Sequence, residues 1–281
     1  MKFLKLTLLL LAVGIFTSCS SDDDKGQAQP MDETEDLLLT KIIDNQIHEI
    51  AIYTVDGKFT EGYNKVYFQL KDNSGNLQTD VVFGWMPMMY MESMEHGAPY
   101  SEIQKVSGKS TLYEAWVVFQ MAGNADEYWE LSFDYLTGGG SFHASDIIDV
   151  ESSELRRVTV FMGSDGGHYV LALVEPTEAE VALNDMSAGL FRMSSMHEFE
   201  TVNNYRVLID PRMPGMGNHG SPNNEHLTQG ADGFYHGKLS LTMTGYWLIN
   251  LMVENQDGAV VKGEAVTESH PQSSIYFEIE F

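Results

Sequence analysis

Residues 113–123 read YEAWVVFQMAG, and residues 235–245 read YHGKLSLTMTG. Both run from a tyrosine to Met-x-Gly, 122 residues apart, the first through aromatic and β-branched positions and the second through leucines alternating with polar residues. Each reads as a strand that ends at a glycine turn. Other blocks recur around them in the same order. Met86-Pro87-Met88-Met89 is echoed by Met213-Pro214-Gly215-Met216, and His96-Gly97-Ala98-Pro99 by His219-Gly220-Ser221-Pro222. Tyr128-Trp129 is echoed by Tyr246-Trp247 after a four-residue insertion, Asn124 to Glu127, in the first copy. Upstream, Tyr63-Asn64 lines up with Leu183-Asn184. An ordered set of blocks at nearly constant offset is the mark of an internal repeat. Further short strands are predicted on either side, including His48–Val55, Lys65–Lys71, Arg157–Met162 and Ser274–Phe281, with turn signals such as Asp56-Gly57 and Asp165-Gly166-Gly167 between them. No long stretch sustains a helical period. The expected fold is all-β: two tandem immunoglobulin-like β-sandwich domains, 36–149 and 150–281, each the size of one sandwich.

Composition narrows the function. The 281 residues carry 16 basic and 41 acidic side chains, a formal net charge of −25. A nucleic-acid binder needs a basic stripe to displace counterions, and docking on anionic lipid needs basic clusters, so neither class fits. The N-terminus reads as an address. Lys2 and Lys5 precede an apolar run, Leu6–Phe16, too short to span a bilayer, and then Thr17-Ser18-Cys19. The chain's one cysteine stands where a bacterial lipobox places the lipidated residue. The expectation is a lipoprotein signal peptide over 1–18, a palmitate-bearing anchor at Cys19 and a flexible linker over 19–35; an ordinary secretory signal is the alternative. The protein would then sit at the outer membrane or cell surface, touching the membrane only through that lipid.

The repeated methionines and histidines carry the chemistry. Five methionines, Met86, Met88, Met89, Met91 and Met94, fall within nine residues beside His96. Thioether and imidazole are soft or borderline donors that favour Cu(I) over hard cations, and they persist outside the cytoplasm, where thiols oxidise. The candidate ligand sets are Met86, Met89 and His96 in the first copy and Met213, Met216 and His219 in the second. Met88, Met91, Met94 and His226 are possible additional donors. Met193, Met196 and His197 form a second soft cluster, expected beside the second loop. Met121 and Met243 read as core, Trp129 and Trp247 as core anchors, Tyr113 and Tyr235 as structural hydroxyls, and His48, His143, His168 and His270 as surface residues. Nucleophile-elbow, phosphate-loop, zinc-helix and calcium-loop patterns are missing from the sequence, so no enzyme is predicted.

The order Met-Pro-x-Met, His-Gly-x-Pro, Tyr, Met-x-Gly, Trp resembles the YtkA-like domain, related to FixH-like proteins. The second copy matches more closely, through Pro211–Met216, His219, Tyr235-His236-Gly237 and Met243–Trp247. The resemblance implies an extracytoplasmic immunoglobulin-like sandwich that handles copper, with metal binding and delivery rather than catalysis, on Met213, Met216 and His219. The resulting expectation is a cell-envelope Cu(I) chaperone, storage or tolerance protein with a cuproenzyme or copper exporter as client. A metal-free surface module that binds a protein or glycan partner through adaptable methionine loops is the alternative.

Overall fold

The computed structural model describes residues 32–281, so the expected signal peptide, Cys19 and most of the tether lie outside the described residues. Glu33–Phe281 form one compact unit. It begins earlier than the expected linker end, because the Glu33 carboxylate accepts hydrogen bonds from the backbone N–H of Ser110 and Thr111 and from the Thr111 hydroxyl.

The first half contains β1 (Leu38–Asp44), β2 (His48–Thr54), β3 (Phe59–Thr60), β4 (Gly62–Asp72), β5 (Val82–Tyr90), β6 (Glu95–Gly97), β7 (Gln104–Lys105), β8 (Tyr113–Phe119), β9 (Tyr128–Thr137), β10 (Gly140–Ile148) and β11 (Val150–Glu151). The second contains β12 (Val158–Met162), β13 (His168–Glu175), β14 (Leu183–Met193), β15 (Phe199–Thr201), β16 (Arg206–Met213), β17 (His219–Gly220), β18 (Glu225–Gln229), β19 (Tyr235–Ser240), β20 (Tyr246–Glu254), β21 (Val260–Lys262) and β22 (Tyr276–Glu280). In the first half β1-β2-β4-β8-β7 forms one layer and β10-β9-β5-β6 the other. The second half repeats that pairing as β12-β13-β14-β19-β18 against β22-β20-β16-β17. There β18 also pairs with β16, which joins the two layers along one edge. This is the strand order of an immunoglobulin-like sandwich, once per half.

The repeat is visible in its polar joints. Tyr113 Oη accepts from Val81 N–H at 3.0 Å and donates to Thr79 C=O at 2.7 Å; Tyr235 Oη accepts from Tyr205 N–H and donates to Val202 C=O at 2.8 Å. Asn64 bonds the backbone of Thr60 and Gly62 through its amide, and Asn184 does the same with Glu180 and Ala182. Trp129 and Trp247 are fully buried, and their indole N–H groups donate to Met121 C=O and Met243 C=O. The tyrosines and tryptophans bury a large apolar body and still satisfy their one polar atom, as burial of a polar group demands.

Two cores fill the sandwiches, one drawn from Ile43 to Val150 and one from Phe161 to Ile279. A third cluster lies between the halves. Val118 from β8 meets Val158, Val170, Ala172 and Phe191, with Trp116 and Phe234 packed against them. Trp116 is 5.2 Å from Phe191 and 5.4 Å from Phe234, ring centre to ring centre. β8 therefore buries both faces: Tyr113, Ala115, Val117 and Phe119 in its own core, Trp116 and Val118 against the neighbouring half. Among the described residues no helix is long and apolar enough to cross a membrane.

Candidate functional site

The strand register decides where the predicted donors go. Along β5, Phe83, Trp85, Pro87 and Met89 are buried while Val82, Gly84 and Met86 are exposed, the period-two alternation of a half-buried strand. Met86 and Met89 are three apart, so they occupy opposite faces. Met86 is exposed and Met89 is fully buried in the first core. The set Met86, Met89 and His96 therefore does not converge. β5 runs on through Pro87, which pairs opposite Leu131 before β6 begins to pair at Met88, so its missing N–H falls on the open edge. Met88 is buried opposite Gly97, Met91 is partly buried against the core, and Met94 is exposed.

In the second half Pro214 does end a strand, opening a short 3₁₀ turn, Pro214–Met216. Met213 is buried in the second core, whereas Met216 and His219 are exposed. The structural repeat equates Pro87-Met88-Met89 with Pro211-Arg212-Met213, because Pro87 faces Leu131 and Pro211 faces Ile249 in corresponding strands. The Met-Pro-x-Met blocks are thus three residues out of register. What recurs is a core methionine opposite a hairpin histidine: Met89 with His96, and Met213 with His219. His226 stands apart, its Nδ1 accepting from Ile209 N–H at 3.2 Å.

Other methionines and histidines do come together. Met94, His96 and Met121 of the first half and His168, Met193 and Met196 of the second line one cleft of about 540 Å³. Met193 and Met196 belong to the β14–β15 hairpin, expected near the second loop; the fold lays that hairpin on the first half instead. Gly97 N–H donates to Met196 C=O at 2.8 Å, and His197 Nε2 lies 3.3 Å from Glu95. Gly97 permits the approach because a Cβ there would lie 2.5 Å from the His197 carbonyl oxygen. His168 is solvent-exposed as expected, yet it borders this cleft, while His48 is buried against Phe142 and Tyr135. Met121 packs on the core and reaches the cleft as well.

The geometry around His96 assigns its proton. Nδ1 lies 2.7 Å from Gly97 C=O, and a carbonyl can only accept, so Nδ1 carries the hydrogen and Nε2 the lone pair. Gln120 Nε2 donates to the same carbonyl, and Gln120 Oε1 is one of two buried side-chain polar atoms, among the described residues, without a partner. None of the residues lining the cleft is acidic. Among the described residues no three His, Cys, Asp or Glu side chains gather as a metal-binding group. Any metal held in this cleft would depend on thioethers. Sequence reading missed the cleft because its donors come from both copies, and only the docking of the halves brings them together.

No protein-family model matches the chain, and no curated protein does. Among solved structures the chain is similar to a conserved domain protein from Bacillus anthracis, with 9% identity, 89% of this chain and 93% of that one covered and a TM-score of 0.30. It is also similar to a DUF4785 family protein from Legionella pneumophila, with 10% identity and a TM-score of 0.26; 77% of this chain is covered and only 56% of that one. The titin segment A168–A169 follows, with 11% identity, 72% and 88% covered and a TM-score of 0.19.

Proposed function

We propose that the protein binds Cu(I) in the cell envelope and serves as a chaperone, store or tolerance factor, anchored through lipid on Cys19. One observation carries the reading: four thioethers and two imidazoles line a single cleft whose walls hold no carboxylate. Cu(I) is soft and tolerates few ligands, whereas Ca²⁺ and Mg²⁺ need hard oxygen donors, and Zn²⁺ needs more imidazole, thiolate or carboxylate than the two imidazoles of this lining supply. The resemblance of the second half to YtkA-like domains supports copper as the metal but not its ligand set, since Met213 is buried in the core while Met216 and His219 are exposed away from this cleft. A cuproenzyme or a copper exporter is the client this chemistry suits.

The test is a Cu(I) titration of the chain from Asp32 onward against a chromogenic Cu(I) chelator, anaerobically and under reducing conditions. Stoichiometric withdrawal of copper from the chelator is expected, with Zn²⁺ and Ca²⁺ failing to compete. A folded protein that leaves the chelator fully loaded would sink the copper reading and leave the cleft as a partner-binding surface.

A further inference from the structure

We infer that the copper site is composite: His96 Nε2 and thioethers from both halves hold one Cu(I), so that the metal clasps the β14–β15 hairpin onto the β5–β6 hairpin. This rests on the Cu(I) reading above and adds to it where the ion sits and what its binding does to the protein.

Four features support the clasp. His96 is oriented in advance, with Nδ1–H tied to Gly97 C=O and Nε2 left as the donor atom. A metal-binding imidazole commonly has its second nitrogen fixed in this way. The carbonyl that orients it is itself held by Gln120, which lines the same cleft. The thioethers arrive from opposite sides, Met94 and Met121 from the first half and Met193 and Met196 from the second. Finally, the hairpin bearing Met196 is attached at this point by one backbone hydrogen bond to Gly97 and one exposed pair, His197 with Glu95. An exposed pair contributes little. Tight segments of this kind, with few anchors, open locally at low cost, and a ligand that binds only the closed form suppresses that opening. Apolar walls at Val160, Val170 and Phe199 suit a monovalent ion, which costs far less to desolvate than a divalent one.

Two measurements on the chain from Asp32 onward test the clasp. In chelator competition, M193L/M196L and H96Q should each weaken Cu(I) binding by about tenfold or more. The Leu substitutions keep volume and apolar character, so folding is preserved, which the thermal melt verifies. M216L/H219Q should leave the affinity unchanged. In amide hydrogen exchange, adding Cu(I) should slow exchange at Gly97 and across residues 194–198, and M193L/M196L should abolish that protection. If Cu(I) binds with wild-type affinity in M193L/M196L and H96Q but is lost in M216L/H219Q, the clasp is overturned while the copper reading stands. Binding without any change in exchange at residues 194–198 also overturns it. No binding to the wild-type chain removes both.

Discussion

A single hydroxyl or thioether has an effect here set by which face of a strand it occupies. Tyr235 illustrates the polar case. Its hydroxyl satisfies Val202 C=O and Tyr205 N–H inside the second core. Tyr235→Phe strips Tyr205 N–H of its partner and leaves Val202 C=O only its bond from Gln229 Nε2, so it should cost about 1–2 kcal/mol in urea unfolding, with an unchanged m-value, and should not alter Cu(I) affinity. Methionine illustrates the apolar case. Met89 has no exposed surface, while Met86, three residues earlier, is 42% exposed. Met89→Ala should destabilise by about 2–5 kcal/mol, and Met86→Ala by no more than about 0.5 kcal/mol. Equal costs would mean that β5 is not in the register described. Tyrosine and tryptophan anchors were legible in the sequence because a large side chain repeated at a fixed offset has few roles other than core. The methionines were not, since thioethers serve as core filler and as ligand alike, and only the register separates the two.

At the scale of elements, the strands were readable and their boundaries less so. Hairpin signals and alternation marked most strands, but a proline next to methionine has different effects in the two copies. Pro214 ends β16 and Pro87 does not end β5, because a residue lacking N–H is harmless on an edge that has not yet found a partner. The continuous apolar run in β8 held information about a second interface. A strand with one wet face alternates; Ala115-Trp116-Val117-Val118-Phe119 does not, because the neighbouring half covers its other face. Phe191, 3% exposed with its ring tilted against Trp116, is central to that contact. Phe191→Ala should cost about 3–5 kcal/mol and loosen the two halves. Limited proteolysis should then cut within residues 152–157, the connection between β11 and β12, faster than in the wild type. An unchanged cleavage rate would show that the halves hold together without this cluster.

Across the whole molecule, duplication explains why the fold was readable and the cleft was not. Two copies announce themselves by offset, but how they dock depends on outer-face residues such as Val118, Val170 and Phe191, which need no counterparts in the repeat. The same whole-chain view sets the pH range of stability. Hydrogen bonds from Asn76 hold Asp72 below the usual carboxylate value of 3.8, and the Lys41 ammonium does the same for Asp146. Backbone N–H of Ser274 lowers Glu264 from 4.5. For Glu33, Asp165 and Asp232, burial pushes upward, but it is outweighed by hydrogen bonds from Ser110 and Thr111, from Tyr169 and Gly167, and from His236 and Phe234. Each depressed carboxyl binds a proton less readily folded than unfolded. Its contribution is complete above the unfolded value and disappears as pH falls through the folded one. At the other end, burial raises Tyr63 and Tyr235 from 10.0 to about 12. A raised tyrosine favours the folded state fully below its unfolded value and loses that contribution as pH climbs through the folded one. Thermal midpoints should therefore be flat from about pH 5 to about pH 9, fall below about pH 4, and fall again above about pH 10. Protonating the 41 acids also relieves self-repulsion in a chain of net charge −25, which opposes the acid loss. A midpoint that rises steadily from pH 5 to pH 3 would show that repulsion, rather than these hydrogen-bonded carboxylates, governs acid stability.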